Sequence, residues 1–417
     1  MTGTGQMAAA AAPTVLRWDA RAGSVDEIER ELARIWASAD LEVETPHGPE
    51  RRIAARSSVL NLVVVARRPE LGIRAAATVG GLSGRHPSRT IILAAMDPDG
   101  PSSFDARVEA ACAMPTMETF ESCTEVIHLA LGGETGRHLA ATVAPLLVHD
   151  LPVVVWWPGD PPLDSEQAVA LLELADRLVV DGSSWSGDGL ARLAQLARLT
   201  ARGRPTVFDF AVVRQARWRE AIASVFDRTE FQPYLRAIRS LDVRYASRPD
   251  TPTGTTNVVK PVYHVAWLAS RLGMTVSEPL VETDSGDAGA EPGPIAAVAP
   301  DRSIQGRGRI GLLRAGRRVV RVGLRPVAST MPSGTTLRVD IVAERRRSAL
   351  RAEVTAEADG VRVRAAIDGG PAFDRFYLAP RATDVQLLMA AIESGGRDRV
   401  TDDAIRLAGA LVGSGAS

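Results

Sequence analysis

The sequence predicts an α/β protein: a mixed, largely parallel sheet with flanking helices, followed by a smaller α+β part that carries an antiparallel sheet. Between residues 58 and 210, apolar runs of strand length alternate with segments of helical spacing, the succession that winds a parallel sheet. After about residue 303 the apolar residues recur at every second position, as in strands with one covered face. At 417 residues and 45% hydrophobic content, the chain is long enough for two cores.

Residues 1–23 read as a disordered leader, because MTGTGQMAAAAAP lacks the basic segment and long apolar core of a signal peptide. The α/β domain, 24–246, opens with a helix. Ser24 and Glu27 have capping-box spacing, and Ile28, Leu32, Ile35 and Trp36 share one face. Buried strands follow at 58–66, 89–96, 124–131, 151–157, 176–182 and 205–210. Helical spacing at 136–148, 164–175 and 188–201 makes the later part a βαβαβ succession, while the earlier strands are free to pair antiparallel. A helix at 214–226 groups Trp218, Ile222, Val225 and Phe226.

Residues 247–302 read as two linkers around one helix, 262–273, which Gly273 ends. The last part, 303–417, holds strands at 317–324 and 337–344, a hairpin within 350–368, and helices at 382–393 and 401–412. Asp359-Gly360 is the expected type I′ turn, which sets Ala358 opposite Val361, Ala356 opposite Val363 and Val354 opposite Ala365.

A formal net charge of −1 argues against a general polyanion binder, so no nucleic-acid partner is expected. Lys260 is the single lysine, which removes most lysine chemistry. Two cysteines cannot build a disulfide framework and suggest a reducing compartment. No run approaches the ~20 apolar residues of a membrane span. Together these readings give a cytoplasmic protein without a membrane partner. The histidines at 47, 86, 128, 138, 149 and 264 show no ligand spacing, so neither metal nor cofactor is expected.

GRGRIG (306–311) satisfies the dinucleotide fingerprint in letters only, because linker precedes it and strand-like sequence follows. GGETGRH (132–138) joins a strand to a helix. Gly132, Gly133, Thr135 and Arg137 are therefore anion-binding candidates, suited to a sugar phosphate, against the plainer reading of a glycine turn with Thr135 as cap. Cys112 and Cys123 face each other if a hairpin centres between Met117 and Glu118, which makes them redox candidates or else two separate buried thiols. From Ser303 to Val339 there are eight arginines and no acidic residue, a stretch that suits an acidic partner surface, phosphate groups or a solvated face.

The run LPVVVWWPGDPP (151–162) puts Trp156 and Trp157 at a strand end. They point to opposite sides, one into the core and the other to a helix layer or the surface, and the following prolines stiffen the exit.

These segments together resemble the glucose-6-phosphate dehydrogenase assembly protein OpcA family. The matching stretches are SVLNLVVVA, HPSRTIIL (86–93), LLVHDLPVVVWWPGDPP (146–162), DRLVVDGSSW (176–185), Asp209 with RWREAIASVFD (217–227), and VAWLASRLG (265–273), in family order across 58–273. Where members usually show DLNW, this chain has Asp209, Phe210, Ala211 and Val212. The resemblance implies a non-catalytic assembly factor that binds and activates glucose-6-phosphate dehydrogenase, favours its active oligomer, and supports the oxidative pentose phosphate pathway. The thioredoxin control of cyanobacterial members does not carry over, since the two cysteines stand at unmatched positions.

The contact candidates are Arg85, His86, Arg89, Trp156, Trp157, Asp209, Trp218 and Arg219. Against them, Asp209 caps a turn, Trp218 is core, and HPSR merely leads into a strand. The rival readings are a lactonase- or isomerase-like enzyme on sugar phosphates, with His138 as acid or base, and a sugar-phosphate sensor.

Overall fold

Val, Ile and Leu runs become central strands where both sheet faces are covered, and LNLVVV is buried at all six positions. The computed structural model describes residues 15–37, 41–45, 48–52, 58–82, 85–95, 99–113, 122–248, 255–283 and 308–413. The chain divides into two units, Met1–Trp156 with Leu174–Asp176 and Trp157–Glu173 with Arg177–Ser417.

The first unit contains β1 (Val15–Ala22), α1 (Val25–Ala37), β2 (Leu41–Thr45), β3 (Gly48–Arg52), β4 (Leu60–Val65), α2 (Pro69–Gly80), β5 (Ser88–Ala95), β6 (Ser103–Ala113), β7 (Ser122–Gly132), α3 (Gly133–Arg137) and α4 (Leu139–Val143). It also takes β8 (Val153–Trp157) as far as Trp156. These strands lie in the order β1-β6-β7-β5-β4-β8. β7, β5, β4 and β8 run parallel, while β6 pairs antiparallel with both β7 and β1. Helix α1 packs on β1 and β6, and its Ser24 hydroxyl accepts from the Glu27 N–H at 3.2 Å, as the capping-box spacing requires.

The second unit contains α5 (Glu166–Glu173), β9 (Arg177–Val180), α6 (Leu190–Arg202), β10 (Thr206–Asp209), α7 (Phe210–Val213), α8 (Ala216–Phe226), β11 (Ile238–Ser247) and α9 (Val259–Arg271). Then come β12 (Thr275–Thr283), β13 (Gly308–Ala315), β14 (Arg318–Ala328), β15 (Thr336–Arg345), β16 (Ser348–Glu357), β17 (Gly360–Ile367), β18 (Phe373–Leu378), α10 (Asp384–Glu393) and α11 (Arg399–Val412). β9 and β10 are parallel neighbours, and α11 packs on α6 and α9. The large sheet has the order β12-β13-β14-β11-β15-β16-β17-β18, antiparallel except for β11 against β14. The fold class is therefore the expected one: a mixed, mostly parallel sheet with helices, then a mostly antiparallel sheet.

Alternation decides what each face of the large sheet carries. Leu241, Val243, Val322, Ile341, Val354 and Val363 are buried on one face, where α8 packs on β16–β18 and α9 on β11, β14 and β15. The other face carries charges in rows fixed by register. The middle row runs Gly323, Asp242, Asp340, Glu353, Arg364, Asp374. One flanking row runs Arg325, Arg244, Arg338, Thr355, Arg362, and the other runs Arg321, Ser240, Val342, Arg351.

Several expectations need correction. Residues 15–22, placed in the leader, form β1, because β6 offers a full antiparallel ladder from Val15↔Ala113 to Ala22↔Ala106. The helix expected at 136–148 breaks into α3, α4 and a 3-10 turn, with His138 between the helices in a non-helical conformation (φ −104°, ψ 51°). β11, α9 and β12, on either side of residue 246, lie in the same unit as β13–β18, and β11 and β12 are strands of the same sheet. The rest of the expected leader and most of both linkers lie outside the described residues.

The β16/β17 hairpin turns one residue earlier than expected, which shifts the pairing by two: Ala356 faces Val361 and Val354 faces Val363, with Ala358 and Asp359 as the loop. Gly360 belongs to β17, where an added Cβ would collide with the Tyr377 carbonyl oxygen of β18. Close backbone approach, and not a positive φ, is what this position requires. A shift of two keeps every side chain on its face.

Candidate functional site

In the first unit, the start of β5 sets Arg89 beside Glu125 of β7, its register partner. Arg89 is 3% exposed; its Nε donates to Glu125 Oε2 at 2.6 Å, and its Nη1 donates to Glu29 Oε1 at 2.8 Å and to the Leu146 carbonyl at 2.9 Å. Glu125 also accepts from Trp36 Nε1 at 2.6 Å. One guanidinium thus ties α1, β5, β7 and the 3-10 turn, in the geometry that lets a buried ion pair offset its desolvation. Asn61 brackets the adjoining loop, accepting from the Val148 N–H at 2.8 Å and donating to the Val148 carbonyl at 2.9 Å. Beside them lies a cavity of about 620 Å³ lined by Glu29, Ser58, Arg89, Leu147, His149 and Leu151. Of the HPSR candidates, Arg85 is exposed, His86 is half-buried and Arg89 is enclosed.

Trp156 and Trp157 are 1% and 2% exposed, so both rings are enclosed and neither is a surface group. Of the two places open to the second ring, a helix layer or the surface, the surface does not apply to either of them.

In the second unit, Asp209 ends β10 at 0% exposure. Its Oδ1 accepts from the Gly182 and Ala211 N–H groups at 2.9 and 2.8 Å, and its Oδ2 accepts from the Tyr263 hydroxyl at 2.7 Å. Burial pushes its carboxyl up to about 6, against the pull of those donors, and pushes the Tyr263 phenol well above its usual range. Asp209 therefore caps α7, as the plainer reading had it, and also joins β10 to α9. Next to it, Asp181 accepts from Arg214 Nη1 at 2.7 Å and from the Ser183 hydroxyl at 2.6 Å.

Trp218 and Arg219, both half-buried, lie on α8. The Trp218 ring meets the His264 imidazole at 5.0 Å between centroids, and Arg219 Nη1 donates to the Val212 carbonyl at 2.6 Å. His264 is 2% exposed with neither ring nitrogen hydrogen-bonded, and burial depresses its pKa to about 3. The Lys260 ammonium is lowered by burial as well.

The GGETGRH segment forms a five-residue helix, α3, whose charges are already matched: Arg137 Nη2 meets Asp99 at 2.9 Å, and His138 Nε2 meets Glu134 at 2.8 Å. Gly133 has φ 54°, and a Cβ there would stand 2.6 Å from the Gly100 carbonyl oxygen, so the turn and the close approach to residues 100–102 account for it. Gly132 precedes α3 as its cap, and Thr135 lies within it, not at the cap position assigned to it. The β6/β7 register sets Cys112 opposite Cys123, with the expected turn at Met117 and Glu118 outside the described residues. Gly308 to Gly311 of the GRGRIG segment lie in β13, and Gly306 is outside the described residues. Among the described residues no three His, Cys, Asp or Glu side chains group as metal ligands, and no helix is long and apolar enough to cross a membrane.

Sequence reasoning missed Glu29 and Glu125 as the partners of Arg89, and Tyr263 as the partner of Asp209. These pairs are 60, 36 and 54 residues apart, so only strand register and helix packing bring them together.

Two family models match this chain, and both describe a glucose-6-phosphate dehydrogenase subunit: its N-terminal domain matches residues 80–198, and its C-terminal domain matches residues 205–405. An OxPP cycle protein OpcA of Synechocystis sp. is 26% identical over 197 residues, which are 46% of this chain and 39% of that protein. The chain thus spans well under half the length of this relative. Among solved structures, a levoglucosan dehydrogenase (12% identity, 84% of this chain and 96% of that one) gives a TM-score of 0.43. The WlbA dehydrogenase of Thermus thermophilus (12% identity, 85% and 95%) gives 0.39.

Proposed function

The chain belongs to the OpcA family of glucose-6-phosphate dehydrogenase assembly proteins, and from that membership we propose that it is a non-catalytic cytoplasmic partner that binds glucose-6-phosphate dehydrogenase and promotes its active oligomer. In this reading it acts as an allosteric activator and raises flux into the oxidative pentose phosphate pathway. The consecutive match of both family domains, over 80–198 and 205–405, carries the proposal.

The side-chain chemistry supports a non-catalytic role. Asp209, Tyr263 and His264, the groups whose protonation burial perturbs most, are all enclosed at 0 to 2% exposure, where they meet no substrate. The sugar-phosphate alternative is disfavoured at its own loop, because Glu134 and Asp99 already neutralise Arg137 and would repel a phosphate.

The test mixes the purified chain with glucose-6-phosphate dehydrogenase and follows mass by light scattering and turnover by NADPH absorbance. A larger complex together with higher dehydrogenase activity is expected. Unchanged mass and unchanged turnover would sink the reading.

A further inference from the structure

The charged face of the large sheet carries an ion network unlike an ordinary solvated surface. Its central acids are largely withdrawn from water: Asp242 and Asp340 are 4% and 5% exposed, although no apolar residue of their own row covers them. Arginines lie over them. Arg338 Nη2 bridges Asp340 at 2.6 Å and Glu353 at 3.1 Å, and Arg325 Nη2 reaches Asp242 at 3.3 Å. Burial raises the Asp242 carboxyl even with two guanidiniums nearby.

The three rows hold seven arginines against four carboxylates, a surplus of three positive charges. Arg351 is the member that this arrangement leaves over. It is half-buried, its Nη1 is enclosed without a hydrogen-bond partner, and among the described residues it forms no ion pair. Its cross-strand neighbours, Val342 and Ala366, offer it nothing. A half-desolvated guanidinium without a carboxylate is costly in isolation and gains when an outside carboxylate meets it.

We propose that this face, centred on Arg351 and flanked by Arg321 and Arg364, is the surface that receives an acidic face of the partner enzyme. The proposal rests on the dehydrogenase-binding reading and assigns a surface to it. A nucleic acid fits less well, because the row Asp242, Asp340, Glu353 crosses the middle of the face and would repel a continuous phosphate chain, whereas carboxylates on a protein surface can sit over the arginine rows alone. Rows lie two residues apart along each strand, roughly 7 Å, so the face distinguishes partners by charge spacing as well as by net charge.

The experiment measures binding of purified glucose-6-phosphate dehydrogenase to the full chain by calorimetry, at low and physiological salt. The variants are Arg351→Lys, Arg351→Gln and Arg351→Glu, with Arg30→Glu on α1 as a control outside the face. Roughly tenfold weaker binding is expected for Gln and roughly a hundredfold or more for Glu. Lys is expected to stay within about threefold, the control should be unchanged, and wild-type affinity should fall with salt. Urea midpoints matched to wild type confirm folding, and Arg351→Gln decides alone if the reversal does not fold.

Wild-type binding with all Arg351 variants equally tight overturns this surface and leaves the partner reading standing. No wild-type binding overturns both. Self-association of the chain alone, abolished by Arg351→Glu, overturns the surface in favour of a second copy as its occupant.

Discussion

Replacing His264 by leucine is expected to stabilise the protein, and to do so increasingly as the pH falls. The imidazole is 2% exposed, neither ring nitrogen has a hydrogen-bond partner, and its ring neighbour is the half-buried Trp218 at 5.0 Å. Leaving a buried polar group unsatisfied costs about 1–3 kcal/mol, and leucine of similar volume removes that cost. At pH 7.5 the His264→Leu variant should therefore exceed wild type by about 1–3 kcal/mol.

The pH dependence follows from the shift of this group from 6.5 to about 3 on burial. Below pH 6.5 the unfolded chain takes up a proton that the folded chain refuses until about pH 3. The stability linked to His264 is thus fully present above 6.5 and is lost as pH falls toward 3, at about 1.4 kcal/mol per unit. By about pH 5 wild type has lost about 2 kcal/mol that the leucine variant keeps. Asp209 titrates in both proteins and cancels in the difference. Urea unfolding of both chains at pH 7.5, 6.5 and 5 reads the gap directly. A gap that does not widen with acid, or a variant less stable at pH 7.5, would refute the reasoning.

Three further outcomes are expected. Asp209, raised to about 6 from 3.8, contributes stability that is present below 3.8 and lost as pH rises through 6, so Asp209→Asn should flatten the pH profile of unfolding across that window. Arg89→Gln and Glu125→Gln should each cost about 3–5 kcal/mol by chemical denaturation while the double variant costs less than their sum, because each single change strands a buried charge; additive losses would show that the pair is not coupled. Gly360→Ala should cost about 1–3 kcal/mol in thermal unfolding, since its Cβ has no room beside the Tyr377 carbonyl, and a neutral change would mean that β17 and β18 separate there freely.

The parts of the fold legible in the sequence were those that local pattern controls. Six apolar runs became β4, β5, β7, β8, β9 and β10, and the Ser24 capping box did open α1. What escaped was set by distant partners. β11 is recognisable only once β14 and β15, about 80 to 100 residues later, flank it, and β1 becomes a strand because β6 offers it an edge. The hairpin at Asp359 misled because a glycine that serves close strand approach looks, in sequence, like one that serves a turn.

The candidate site was legible in the same uneven way. HPSR and Asp209 announce themselves as polar residues at strand ends. That Arg89 turns inward to two glutamates, and Asp209 to a tyrosine hydroxyl, depends on elements that sequence spacing does not bring together.

The boundary between the two family domains, at residues 198 to 205, falls inside the second unit, after β9 and before β10, which are adjacent strands, and within the stretch where α6 packs on α11. The evolutionary module and the folding module are therefore different objects. A chain severed at that boundary would yield two halves that each bare one side of a shared strand pair and helix contact. Supplied together, the halves are natural candidates for reassembly in trans, with β9 and β10 as the seam.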